Sequence, residues 1–558
     1  LSFSSSRLTK TASRITAGIA LITAASLMAA CSSSAPEKSD SAAAGEPKTG
    51  GTAVYLEQQT YTNLYPPAAG FYPNGGIVNN ITDRLVYQDP ETLEFEPWIA
   101  TEWEVNDTAT EYTFTIRDGV TFSDGSKLDA DAVAKNFDLY GKGNTDKALT
   151  ISEAINNYDH SEVVDPTTVK FFFSKPSPGF LQATSTINSG LLSPKTLDLD
   201  LEGFGAGNGT DIIGSGPFTI TDEKIGTELT LTARDDYDWA PPSAEHQGRA
   251  YVDAVQFIVT PEDSVRVGSL IAGQADIVRA VEAQDEKQVE DAGLTVYAPQ
   301  TNGVNNALNL RFGNKLLSDI KVRQALIAGI DREEVINTIY TKNYPLATST
   351  LSKTAKGYVD ESATLTYDPT KAEALLDEAG WKVGSDGIRE KDGTKLTLVV
   401  NEAAPQPRSF EALTLISQQL AKIGVDLQIL KADAGTYAKA ILDQDQVQIY
   451  HSMVGRADLD VIKSQYYSAN RNVLQNLNSN TGEIADPQLE TLLEAVASEP
   501  DPAKRLENDK AVQDYLAEQA YVIPLFEEPQ VYSAANWVQG LGFESVARPT
   551  FYNVWLDK

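Results

Sequence analysis

The stretch YVDAVQFIVTPEDSVRVGSLIAGQADIVRA, residues 251–280, decides the fold class. Val255, Phe257 and Val259 alternate with other residues as in a half-buried strand, Pro261 opens a helical segment that Gly273 closes, and ADIVRA reads as a second strand. Two strands joined through a helix pair in parallel, because parallel pairing needs a crossover of that length. The same grammar returns further on. KLTLVV (395–400) is a strand, Leu413, Ile416, Leu420 and Ile423 line one helix face before Gly424, and VDLQIL (425–430) is the next strand. Two such stretches, far apart in the chain, predict two α/β lobes.

Between residues 91 and 208 the pattern is different. EYTFTIRDGVTFSDGSKL alternates Tyr112, Phe114 and Ile116 with polar residues, turns at Asp118-Gly119 and resumes with Val120 and Phe122, which predicts a hairpin. DADAVAKNFDLY is a helical stretch, and TVKFFF a strand that ends at Lys175-Pro176. This region is expected to be an α+β piece of its own. In the second half, Asp368-Pro369, Asp486-Pro487 and Asp501-Pro502 place an aspartate at the cap and a proline in the first turn of a helix, and Asp331 with Glu334 forms a capping pair. These residues are assigned to structure.

A chain of 558 residues exceeds what one hydrophobic core supports, in line with two lobes. Its 45 basic and 78 acidic residues give a net charge of −33, which repels phosphate backbones and anionic headgroups, so nucleic-acid binding and electrostatic membrane docking are both disfavoured. The first 30 residues carry Arg7, Lys10 and Arg14 without an acid, then an apolar run from Ile15 to Ala30 that is short for a membrane span. It reads as a signal peptide. Ala29 and Ala30 precede Cys31, the only cysteine, in an arrangement that resembles a bacterial lipobox. Cys31 is therefore the expected lipid attachment site, and residues 31–49, rich in Ser, Ala, Gly and Pro, are a flexible tether.

Catalytic signatures are missing from the sequence. The three histidines, His160, His246 and His451, lie far apart, a single cysteine excludes disulfides and Cys-based zinc sites, and neither a Gly-x-Ser-x-Gly elbow nor a Walker A stretch occurs. No cofactor and no metal are expected. A carboxylate pair of the glycosidase kind remains open among so many acids. In parallel sheets, ligands bind beyond the carboxyl ends of the strands. The strand DQVQIY is followed by HSMVGRADLD, which places His451, Arg456, Asp458 and Asp460 together where a cleft would open. An arginine holds a carboxylate bidentately and an aspartate holds an ammonium, which suits a zwitterionic solute; mutual pairing of the two is the structural alternative. A second candidate wall, YLEQQTYTNLYPPAAGFYPNGG, offers Gln58, Gln59, Tyr61, Tyr65 and Tyr72.

The order of segments resembles the family 5 extracellular solute-binding proteins of ABC importers. The stretches that carry the likeness run from GGTAVYLEQQTYTNLYP through ITDRLVYQDPETLEFEPWIATEWEV, YTFTIRDGVTFSDGSKLDADAV, IIGSGPFTI, LIAGQADIV, SDIKVRQALIAGIDREEVI and YDPTKAEALLDEAGW to DPAKRLENDKAVQDYLAEQAYVIPLF and VQGLGF. The resemblance implies a two-lobed periplasmic-binding-protein-like α/β fold of type II, with an α+β subdomain inserted in the first lobe. By that likeness lobe I comprises 50–90, 209–304 and 524–558, the insert 91–208, and lobe II 305–523. The lobes close by hinge bending around a solute and deliver it to permease subunits. Relatives that bind peptides place a tryptophan and then an aspartate in the segment matching SMVGRADLD; here Met453 and Val454 stand in the tryptophan region, and Asp458 is taken as the aspartate. ALNLRF puts Arg311 where the family tends to have asparagine, a second positive group near the hinge. The expected protein is a monomeric, lipid-anchored, non-enzymatic receptor for a peptide or similar small polar solute. A receptor for a metal chelate or organic acid, a secreted hydrolase and a surface interaction protein are the alternatives.

Overall fold

The computed structural model describes residues 45–403, 406–432, 434–469, 475–478 and 480–558. The signal segment, Cys31 and the tether up to residue 44 lie outside the described residues.

Residues 254–259 and 277–279 are strands joined by the helix Asp263–Ile271, and both lie parallel to the strand Thr52–Glu57, which fits between them. They are the centre of a seven-stranded sheet in the order 295–297, 532–534, 277–279, 52–57, 254–259, 228–233, 218–224, whose outer strands run antiparallel. The second predicted unit also forms. Thr397–Asn401 and Asp426–Leu430 pair in parallel beneath the helix Ser409–Lys422, whose Leu413, Ile416 and Leu420 are fully buried. Cutting any of them to alanine costs about 2 to 5 kcal/mol. These strands belong to a five-stranded sheet in the order 426–430, 397–401, 449–455, 303–310, 522–526. The two sheets are the cores of the two lobes.

The expected hairpin around Asp118-Gly119 is replaced by a different pairing. Glu111–Ile116 lies between Ala100–Val105 and Thr168–Phe173 in a four-stranded antiparallel sheet, with Tyr158–Asp165 outermost. The chain does turn at Gly119, whose φ is +83°, but Val120 and Phe122 then bond to Leu128 and Ser126 in a second tight turn. Asp124-Gly125 bends the chain back before a strand long enough to pair with Glu111–Ile116 can form. The helix Ala130–Lys142, capped by the Asp129 carboxylate, covers this sheet, and Phe137, Phe171 and Phe180 interlock with ring centroids 4.9 to 5.6 Å apart.

The proline-started helices open at 369, 487 and 502, each with its aspartate accepting bonds from the first turn. Asp331 likewise accepts from Glu334 N, but the Glu334 carboxylate takes a bond from Gln419 of another helix and leaves the box unreciprocated. Two segments cross between the lobes, and Gln300 bridges Pro529 where they run side by side. Gly303, at φ +128°, starts the five-stranded sheet there. A Cβ on it would lie 2.1 Å from the Val454 carbonyl oxygen, so no other residue fits.

Candidate functional site

Both sheets turn the carboxyl ends of their parallel strands toward the gap between the lobes. On the lobe I side, Thr52–Glu57 and Ile277–Arg279 end together, and their last residues form a buried fork-to-fork pair. Arg279 Nε donates to Glu57 Oε1 (3.0 Å) and Oε2 (2.8 Å), and Nη2 donates to Oε1 (2.7 Å). Arg279 Nη1 also reaches Gln530 Oε1 of the returning crossover (3.2 Å). On the lobe II side, the strand Thr397–Asn401 leads to Arg408, which immediately precedes the helix Ser409–Lys422 and has a left-handed backbone, φ +51°. Such a conformation is costly for arginine, and it presents the side chain to the gap.

Between these edges lies a cavity of about 280 Å³, lined by Gln58, Arg279, Glu282 and Gln530 from the first lobe and by Glu402, Gln406, Arg408 and Ser409 from the second. Beneath it runs a buried polar relay. Ser409 Oγ meets His451 Nδ1 at 3.0 Å, His451 Nε2 meets Asn306 Oδ1 at 2.7 Å, and Asn306 Nδ2 donates to Glu528 Oε2 at 2.9 Å. With its amide turned to donate, Gln406 supplies Glu528 Oε1 with a further bond of 2.7 Å. Burial lowers the His451 pKa to about 4, so the ring is neutral, donates from Nε2 to the Asn306 carbonyl oxygen and accepts from the Ser409 hydroxyl. Burial pushes the Glu528 carboxyl up to about 8, against the opposing effect of the Asn306 bond. A larger cavity of about 850 Å³ opens on the outgoing crossover, between Gln300 and Asn302, Lys353 and the aromatic faces of Tyr87, Trp98 and Phe543.

The residues expected to bind a ligand occupy several different places. The strand read as DQVQIY runs instead over Ile449–Gly455, so its end is at Gly455 and His451 lies inside the sheet. Arg456 follows directly, but Nη1 pairs with Asp460 at 2.5 Å and Nη2 donates to Ser464 Oγ at 2.9 Å. Asp458 receives Arg505 Nη2 at 2.5 Å and Nη1 at 3.2 Å. Both pairs are buried against the inserted subdomain, where Asn156 Nδ2 reaches Asp460 at 3.5 Å and a Cβ at Gly179 would lie 3.1 Å from Asp458 Oδ1. Arg311 is at the far end of its strand, fully buried, with Nη1 donating to the Val447 carbonyl at 3.0 Å; burial lowers its pKa to about 10. Tyr61 donates to Glu223 at 2.6 Å, and Gln59 shares with it a pocket of only about 20 Å³ lined by the first lobe alone. Arg408 and Glu282 on the cavity wall, and Glu528 beneath it, are among the residues that the sequence did not single out. Arg408 in QPRSF, one residue ahead of an amphipathic helix, and Glu282, three residues beyond a parallel strand, both had the position that marks a ligand edge.

Two α/β lobes, two crossing segments and a polar cavity between strand ends define a hinged binding protein. Residues 94–474 match the family of bacterial extracellular solute-binding proteins, family 5, and the chain belongs to that family. It is 25% identical over 502 residues to the dipeptide-binding protein of Escherichia coli K12, covering 85% of this chain and 89% of that one. It is 25% identical over 479 residues to the glutathione-binding protein GsiB of Salmonella paratyphi A, covering 84% and 88%. Among solved structures, the oligopeptide-binding protein AppA of Bacillus subtilis in complex with a nonapeptide superposes with a TM-score of 0.75 at 21% identity, covering 92% of this chain and all of that one. NikA of Brucella suis in complex with Fe(III)-EDTA gives 0.75 at 21% identity, covering 91% and 100%. Among the described residues no helix is long and apolar enough to cross a membrane, and no three His, Cys, Asp or Glu side chains cluster as a metal site.

Proposed function

We propose that this protein captures short peptides between its lobes and hands them unaltered to the permease of an ABC importer, anchored to the outer face of the cell membrane by lipid on Cys31. The observation that carries the reading is the meeting of parallel strand ends from both lobes around one polar cavity, with Arg408 facing the gap from lobe II. A guanidinium at that position is suited to a peptide carboxylate, and Gln58, Gln406 and Gln530 to its amides. The bond from Asn156 to Asp460 across the gap, with Lys356 Nζ 3.5 Å from Glu94, fits lobes that have come together. Closure follows when the guest binds the closed form more tightly than the open one.

The experiment is calorimetric titration of the full chain with Ala-Ala-Ala, followed by mass spectrometry of the recovered peptide. Saturable binding and an unchanged peptide are expected. A cleaved product would replace the receptor by a hydrolase, and the absence of heat together with binding of a metal chelate would favour the chelate-receptor alternative. Metabolic labelling with a radioactive fatty acid decides the anchor: label on the natural chain that is lost in Cys31→Ser supports it, and an unlabelled natural chain overturns it.

A further inference from the structure

The carboxylates around the cavity differ in what they touch. Glu57 is matched by Arg279. Asp263 is matched by Arg266, which donates in addition to the carbonyls of Thr260, Pro261 and Ala280. Glu402 has Lys431 at 3.4 Å, and Glu411 has Arg408 at 3.9 Å. Glu282 has none of this. Among the described residues no cation lies within 4 Å of it and no hydrogen bond reaches its side chain, although it stands at the N-cap of the helix Ala283–Asp291, where it could have bonded back to the first turn. Its charged neighbours are Asp263 and Asp285, which repel it, and Arg408 and Arg266, which attract it without pairing with it. Burial and the Asp263 charge push its carboxyl up to about 7.

We infer that the guest is basic, and that Glu282 receives its positive group. The inference rests on the peptide reading of the cavity and narrows it to peptides with a lysine or arginine side chain. A half-desolvated carboxylate that faces open space and lacks a partner is destabilised by its own surroundings, and a cation placed there restores what burial removed. Arg408 lies across the same space and, among the described residues, donates to Gln284 at 3.5 Å and approaches Glu411 at 3.9 Å. The cavity therefore has one position for a carboxylate and, at Glu282, one for an ammonium or guanidinium beyond it. A surface charge of −33 acts in the same sense, concentrating cations near the opening.

The test is titration of the full chain and of Glu282→Gln with Ala-Lys-Ala, Ala-Ala-Ala and Ala-Glu-Ala. The natural chain is expected to bind Ala-Lys-Ala at least about tenfold more tightly than Ala-Ala-Ala, with Ala-Glu-Ala weakest. In Glu282→Gln the Lys preference falls to within about twofold while the melting temperature stays in place. Equal affinity of the natural chain for Ala-Lys-Ala and Ala-Ala-Ala overturns the inference and leaves the peptide reading standing, as does a Lys preference that survives in Glu282→Gln. If none of the three peptides binds, the peptide reading falls, and putrescine against succinate decides the rest. Binding of the diamine with loss in Glu282→Gln supports a basic guest; binding of the diacid, or of neither, overturns it.

Discussion

Two groups of charges lie in the gap between the lobes, and they are built on opposite plans. Around Asp458 two carboxylates are matched: Arg505 forks onto Asp458, Arg456 pairs with Asp460, and the inserted subdomain seals both. Around Glu282 and Arg408 the charges face each other across open space, with bonds of 3.5 Å or none. A charge satisfied inside the protein has little left for a ligand, and replacing its partner chiefly affects folding. A charge left wanting in a cavity is where a guest supplies the missing partner. Sequence proximity to a strand end does not separate the two cases, because the partners Arg505 and Asp458 are 47 positions apart.

The strongest way to break this contrast is Asp458→Ala. It leaves Arg505 buried without a counter-charge and is expected to cost about 3 to 5 kcal/mol, read as a lower denaturant midpoint. A variant that melts normally yet loses peptide binding would move Asp458 into the binding group. Next is Glu528→Gln, beneath the cavity. The Glu528 carboxyl is raised in the folded state to about 8, so its contribution to stability is complete below the unfolded value near 4.5 and is lost as pH rises through about 8. Chemical denaturation should show the natural chain weakening between pH 5 and 8, and the glutamine variant recovering about 1 to 2 kcal/mol at pH 8. A pH profile that the substitution leaves untouched would count against a buried acid there. Arg408→Ala is expected to weaken binding of Ala-Lys-Ala about tenfold, by calorimetry, without a shift of the melting curve. Smallest is Tyr61→Phe, which removes the bond to Glu223 and should cost about 0.5 to 1 kcal/mol with no change in affinity.

The parts of the fold written in local pattern were legible. The two β-α-β units, the Asp-Pro helix starts and the helix from Ala130 follow from periodicity and capping, which are properties of neighbouring residues. The strand at 449–455 shows where local reading ends. Residues 445–450 alternate as well as 449–455 do, and which stretch pairs was decided by Asn309 and Leu308 on a strand more than 130 positions away. That shift of register took His451 from the rim to the interior and replaced a presumed ligand contact by a structural relay. The Glu57 to Arg279 fork, spanning 222 positions, was beyond reach for the same reason.

The strand Tyr532–Ala534 fits between Ile277–Arg279 and Thr295–Tyr297 in the first sheet. A ribosome makes this filler after the whole of the second sheet. The first sheet consequently has a slot one strand in from its edge until then, and can finish only after the second sheet has been made. A nascent chain in that condition is still unlocked and open to threading through a narrow export channel, and a chain stopped at residue 526 should remain protease-sensitive in its first sheet while its second resists.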